Sequence, residues 1–130
     1  MIRNGAAGID RNHIPASVTE LLHSVEGSLE ADQADDVVVI DLFGKSSLAD
    51  YMVVASGRSS RQVSAMSEHL AESLKHRGHI VRIEGLPQCE WVLLDAGDII
   101  VHLFRPEVRA FYNLEKMWSA VLPESEQRAV

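Results

Sequence analysis

The sequence predicts an α/β fold, a single domain with a five-stranded mixed sheet and helices packed on it. Short β-branched or apolar runs alternate with longer segments whose apolar residues recur at helical spacing. A length of 130 residues and a hydrophobic content of 46% suit one globular domain with one core. Two apolar runs reversed by a tight glycine-containing turn predict a hairpin within the sheet.

The domain is expected at residues 15–122. Residues 1–14 have no apolar periodicity and residues 123–130 are polar, so we expect flexible tails at both ends. The first helix starts after Pro15, with Ser17 and Glu20 spaced as a capping box, and a polar loop over residues 30–36 ends it. Its apolar stripe consists of Val18, Leu21, Leu22, Val25 and Leu29.

Two strands follow the first helix. Residues 37–42 form a β-branched run without polar alternation, which is typical of a central strand covered on both faces. A turn at residues 44–47 leads to a second strand at 51–56, and so short a connection predicts antiparallel pairing.

A second helix begins after Ser59, which is spaced with Gln62 as another capping box, and stops at Gly78. Its apolar stripe is Val63, Met66, Leu70 and Leu74. Residues 79–84 then alternate as a half-exposed strand, reached through a helical crossover, which predicts parallel pairing with an earlier strand. The sheet is therefore expected to be mixed.

Residues 85–90 form a loop before the hairpin, and Pro106 after it can open a final helix. The buried side of that helix is predicted to consist of Val108, Phe111, Tyr112, Leu114, Met117 and Trp118.

The hairpin has two different faces if Asp95 lies opposite Asp98 across Ala96 and Gly97. This register pairs Leu94 with Ile99, Leu93 with Ile100, Val92 with Val101 and Trp91 with His102. The face predicted for the core is aliphatic: Val92, Leu94, Ile99, Val101 and Leu103. The other face is mixed, and we expect it to be partly covered and to meet a partner. It carries Trp91, Leu93, Ile100, His102 and Phe104, with Asp95 and Asp98 at the turn. A slip of one residue in one strand would scramble this division.

The charge balance bears on the partner. Twelve basic and nineteen acidic residues give a formal charge of −7, which repels nucleic acid and favours a basic protein. No apolar run approaches the ~20 residues of a membrane helix, and the first 13 residues lack a secretory apolar core. With Cys89 as the only cysteine, no intrachain disulfide is possible, and we expect a cytoplasmic protein.

Two stretches could carry chemistry, and each has a structural alternative. Residues 56–60 could hold a phosphate at a helix start, but serine capping explains the same residues. Asp95 and Asp98 could bind a metal, although aspartates also stabilise hairpin turns. The six histidines show no metal-ligand spacing and no hydrolase serine motif is present, so we expect no catalytic residue, metal or cofactor.

Three linked segments carry a family resemblance: DDVVVIDLFGKSSLADYMVVASGRSSRQV, EWVLLDAGDIIVHLF and RPEVRAFYNLEKMW. In this order and spacing the chain resembles the ribosomal silencing factor family, RsfS, also called Iojap-like, over roughly residues 18–118.

The resemblance implies a mixed sheet similar to the nucleotidyltransferase fold without its catalytic acids. It implies a factor that binds the large ribosomal subunit through its small basic ribosomal protein number fourteen. By its bulk there the factor keeps the small subunit from joining, which represses translation when nutrients are scarce. It also implies a homodimer when free. The alternatives are a nucleotidyltransferase-like enzyme and a ribosome assembly factor. We predict that Trp91, Asp95, Asp98, His102 and Phe104 contact the partner, with no direct nucleic-acid readout.

Overall fold

The computed structural model describes residues 16–45 and 47–108. Two helices and five strands follow one another in this part of the chain: α1 (Ala16–Ala31), β1 (Asp35–Asp41), β2 (Tyr51–Ser56), α2 (Ser60–His76), β3 (Arg82–Glu84), β4 (Trp91–Asp95) and β5 (Ile99–Phe104). Residues 106–108 are helical, as predicted for the start of the final helix. The rest of that helix and both predicted tails lie outside the described residues.

The five strands form one mixed sheet in the order β1-β2-β5-β4-β3, which confirms the predicted fold class. The parallel pair, however, is β2 with β5. The predicted parallel pairing of residues 79–84 is wrong, because only Arg82–Glu84 form a strand and it pairs antiparallel with β4 at the edge. The exposed charged side chains of Arg82 and Glu84 suit the edge of a sheet. Strand β5 has five of its six residues buried and lies in the interior, between β2 and β4.

Strand β1 lies at the other edge of the sheet, so its prediction as a central strand covered on both faces is wrong. Its antiparallel pairing with β2 is confirmed. Three consecutive side chains are 36–40% exposed: Val37, Val38 and Val39. A β-branched run suits the pleated backbone at an edge as well as at the centre, so composition alone did not distinguish the two positions.

The two helices pack on one face of the sheet, over a core that includes Leu29, Leu70 and Leu94. The ends of α2 are as predicted. The Ser59 hydroxyl accepts from the Gln62 amide at 3.1 Å, and Gly78 follows the helix with a φ of +93°.

The limits of α1 differ from the prediction. The helix includes Ser17 as its second residue, so this serine does not cap it, and the loop after it shrinks to residues 32–34. The Ala34 amide donates to the Leu29 carbonyl at 2.9 Å, and Gln33 has a φ of +59°, so the chain turns sharply into β1.

Candidate partner-binding surface

The β4–β5 hairpin differs in register from the prediction. Trp91 lies opposite Phe104, Leu93 opposite His102, and Asp95 opposite Ile100 rather than Asp98. The reason is the turn, where the Asp95 carboxylate accepts from the Gly97 amide at 2.8 Å and Gly97 has a φ of +90°. These features place the reversal at Gly97 and Asp98, with the Ala96 amide donating to the Ile99 carbonyl at 3.0 Å. Because the shift is two residues, every side chain keeps its predicted face.

The aliphatic face of the hairpin lies in the core beneath the helices, as predicted. All five of its side chains are fully buried: Val92, Leu94, Ile99, Val101 and Leu103. Burial of this face fixes the orientation of the hairpin, so the opposite face is held in place on the far side of the sheet.

Three aromatic rings pack together on the mixed face. The Trp91 indole donates to Nδ1 of His102 at 3.0 Å and stacks on Phe104 with ring centroids 5.2 Å apart. Burial lowers the pKa of His102 to about 4, so the ring is neutral at pH 7. With Nδ1 accepting, its proton resides on Nε2.

The mixed face divides into a covered and an accessible part. Phe104 is fully buried with Leu42, Met52 and Val54 around it, and His102 is only 6% exposed. Half-buried side chains form the accessible part, which we name the hairpin strip: Trp91, Leu93 and Ile100. Leu93 and Ile100 were not among the predicted partner-binding residues, although strand alternation had already placed them on this face.

Carboxylates border the hairpin strip at the turn. Asp95 is half-buried and Asp98 is exposed. The Asp98 carbonyl accepts from the Asp50 amide at 2.8 Å, which connects the turn to the start of β2. Burial raises the pKa of Asp50, and the negative charges of Asp98 and Asp41 raise it further. Negative charge is therefore concentrated at this end of the sheet.

The alternative chemistries find less support in the same geometry. The Ser59 hydroxyl serves as the cap of α2, and the Asp95 carboxylate stabilises the turn. Across residues 16–45 and 47–108, no three His, Cys, Asp or Glu side chains are grouped so that they could hold a metal ion. Within the same ranges, no helix has the length and apolar character needed to cross a membrane.

Over residues 16–45 and 47–108, the architecture defines an α/β protein with α1 and α2 on one face of a mixed sheet. The hairpin strip lies on the other face, where helical Val108 packs against the cluster around Phe104. The same fold occurs in a crystal structure of a protein from Chromobacterium violaceum, with a TM-score of 0.75 and 36% sequence identity. The match covers 78% of this chain and 85% of that one.

The chain belongs to the family described as "Ribosomal silencing factor during starvation", whose model matches residues 15–130. It is 65% identical over 99 residues to the ribosomal silencing factor RsfS of Zymomonas mobilis, covering 75% of this chain and 74% of the relative. It is also 36% identical over 95 residues to a mouse protein named "Mitochondrial assembly of ribosomal large subunit protein 1". That match covers 70% of this chain and 42% of the mouse protein.

Proposed function

We propose that this protein binds the large ribosomal subunit through its basic ribosomal protein number fourteen and sterically blocks joining of the small subunit. The consequence is repression of translation when nutrients are limiting. The observation that carries this proposal is the hairpin strip, an accessible apolar surface that ends at carboxylates on a protein with a formal charge of −7. Membership of the silencing-factor family supports the ribosome as the target.

Trp91 is the proposed anchor of the interface. A half-buried indole has surface left for a partner to cover, and tryptophan is among the residues that dominate binding energy at interfaces. The hydrogen bond to His102 and the stack on Phe104 already fix its orientation. Binding therefore loses little side-chain entropy at this position. In this proposal His102 and Phe104 belong to the site because they hold the indole from beneath.

Asp95 and Asp98 are the proposed charged rim. Carboxylates at the edge of an interface attract Lys and Arg of a basic protein during approach, which raises the association rate. The same charges oppose direct contact with ribosomal RNA. We further propose that the protein acts in the cytoplasm by binding alone, without catalysis, metal or cofactor, and that it is a homodimer when free.

Assembly of the large subunit is a second candidate function, favoured by the name of the mouse relative. The two functions differ in the particle that is bound. A silencing factor acts on mature large subunits, whereas an assembly factor alone would act on their precursors.

Subunit joining tests the proposal. Purified mature large subunits are incubated with the protein, small subunits are added, and formation of whole ribosomes is followed by light scattering. We expect slower and less complete joining, with the effect reduced by Trp91→Ala and retained by Glu72→Gln, an exposed carboxylate variant on α2 across the sheet. Unchanged joining with saturating wild-type protein would refute blocking and leave the assembly function.

Titration calorimetry tests the absence of catalysis. The protein is titrated with nucleotide triphosphate in the presence of magnesium, and we expect no saturable heat. Metal-dependent nucleotide turnover by the wild type, abolished by Asp95→Asn together with Asp98→Asn, would contradict the binding function.

A further inference from the structure

The outer edge of β1 is a second accessible surface, distant from the hairpin strip. Within residues 16–45 and 47–108, no strand pairs with this edge, and Val37, Val38 and Val39 are 36–40% exposed along it. The opposite edge of the sheet is protected, because β3 has only three residues and carries exposed Arg82 and Glu84. A long apolar edge strand is the kind of surface that pairs with another chain.

The backbone of β1 is oriented for such pairing. The Leu42 amide donates to the Asp50 carbonyl at 2.9 Å, in register with the β1–β2 pairs. In an antiparallel pair, every second residue of a strand forms backbone hydrogen bonds with the residue opposite. Ile40 and Val38, two and four residues before Leu42, therefore also form backbone hydrogen bonds with β2. The N–H and C=O of Val39 therefore point away from the sheet, toward any strand added at the edge.

The charges on β1 select the partner. Asp36 stands at one end of the valines and Asp41 at the other, while Asp35 is already paired with Arg58 at 3.2 Å. Antiparallel pairing of β1 with a second copy would bring Asp36 of each chain next to Asp41 of the other, and neighbouring like charges destabilise a strand pair. A strand with Lys or Arg on both sides of an apolar centre would instead meet opposite charge at each end.

We propose that β1 binds, by strand addition, an extended segment of a second protein in which β-branched or apolar residues are flanked on both sides by Lys or Arg. Backbone hydrogen bonds at Val39 supply affinity, and the acidic ends supply selectivity. This edge is separate from the hairpin strip, since β2 lies between β1 and Ile100 on β5, while Trp91 and Leu93 on β4 lie one strand further away. At ordinary strand spacing these distances are about 10 Å and about 14 Å. Both surfaces can be occupied at once.

The probe is a short fluorescent peptide of alternating valine and threonine between two pairs of lysines. Its binding is measured by fluorescence anisotropy. We expect saturable binding that Val39→Pro weakens at least tenfold. Proline removes an outward-pointing N–H and leaves the bonds between β1 and β2 intact, so the variant should fold. Thermal unfolding checks this. Trp91→Ala should bind the peptide like the wild type, which separates this surface from the hairpin strip.

Charge variants provide the second measurement, independent of any effect of proline on folding. Asp36→Asn combined with Asp41→Asn should weaken peptide binding several-fold and reduce its salt dependence. Both substitutions should preserve the local structure. Asparagine tolerates the positive φ at position 36, and at position 41 its side-chain oxygen can still accept from the Phe43 amide. A peptide with glutamates in place of the lysines should not bind.

Three results would overturn the proposal. They are the absence of saturable binding by the lysine peptide, wild-type affinity in a folded Val39→Pro variant, and a wild-type dimer that Val39→Pro dissociates in sedimentation. The last would show that the occupant of the edge is a second copy.

Discussion

Acidification should destabilise this protein through His102. Burial lowers the pKa of His102 from 6.5 to about 4, so the folded protein binds this proton less tightly than the unfolded chain does. The stability contributed by the neutral ring is complete above pH 6.5 and is lost as the pH falls toward 4. For these two pKa values the loss is about 2 kcal/mol at pH 5 and about 3 kcal/mol at pH 4.

His102→Asn isolates this effect from other titrating groups. An asparagine oxygen can occupy the position of Nδ1 and accept from the Trp91 indole, but the amide does not titrate. The assay is urea unfolding of both proteins at several values between about pH 7.5 and pH 4. We expect the wild type to lose about 2 kcal/mol more than the variant between pH 7.5 and pH 5. If the free energies of unfolding of the wild type and the variant changed with pH in parallel, His102 would not be a buried ring that stays neutral in the folded protein.

Two further predictions concern the stability of the hairpin. Leu94→Ala opens a cavity in the fully buried aliphatic face and should cost about 2–4 kcal/mol in urea unfolding, whereas Val37→Ala, at an exposed position of β1, should cost under about 1 kcal/mol. Equal midpoints for the two variants would contradict the burial of the aliphatic face. Gly85→Ala should lower the free energy of unfolding more than Gly97→Ala does. Both glycines have a φ near +90°, but a Cβ at Gly85 would clash with the Trp91 carbonyl oxygen, whereas a Cβ at Gly97 would enter open space. Equal losses of stability would contradict the close approach of the Gly85 loop to β4.

The sequence predicted local features of the fold well because short-range physics determines them. Ser59 caps α2 through a hydroxyl three residues from its donor, and Gly78 supplies the positive φ that ends the helix. The faces of the hairpin survived a register error because the shift was by two residues.

Strand order could not be predicted in the same way, since it depends on which strand competes best for the interior of the sheet. Val37–Val39 resemble a buried run, yet β5 carries more fully buried side chains and occupies the interior position between β2 and β4, whereas β1 lies at the edge. The sequence also did not predict which side chains of the mixed face are buried. Strand alternation put Trp91, Phe104 and His102 on one face, but it could not show that Trp91 is half-buried while Phe104 and His102 are buried.

The most direct measurement of the central claim is the affinity of Trp91→Ala for purified large ribosomal subunits, taken beside its thermal stability. If Trp91 is the anchor, the variant should remain folded and lose about 2 kcal/mol or more of binding, chiefly through faster dissociation. Asp98→Asn should mainly slow association and weaken its salt dependence, while Glu72→Gln should bind like the wild type. A folded Trp91→Ala protein with wild-type affinity would contradict the assignment of the hairpin strip as the ribosome-binding surface.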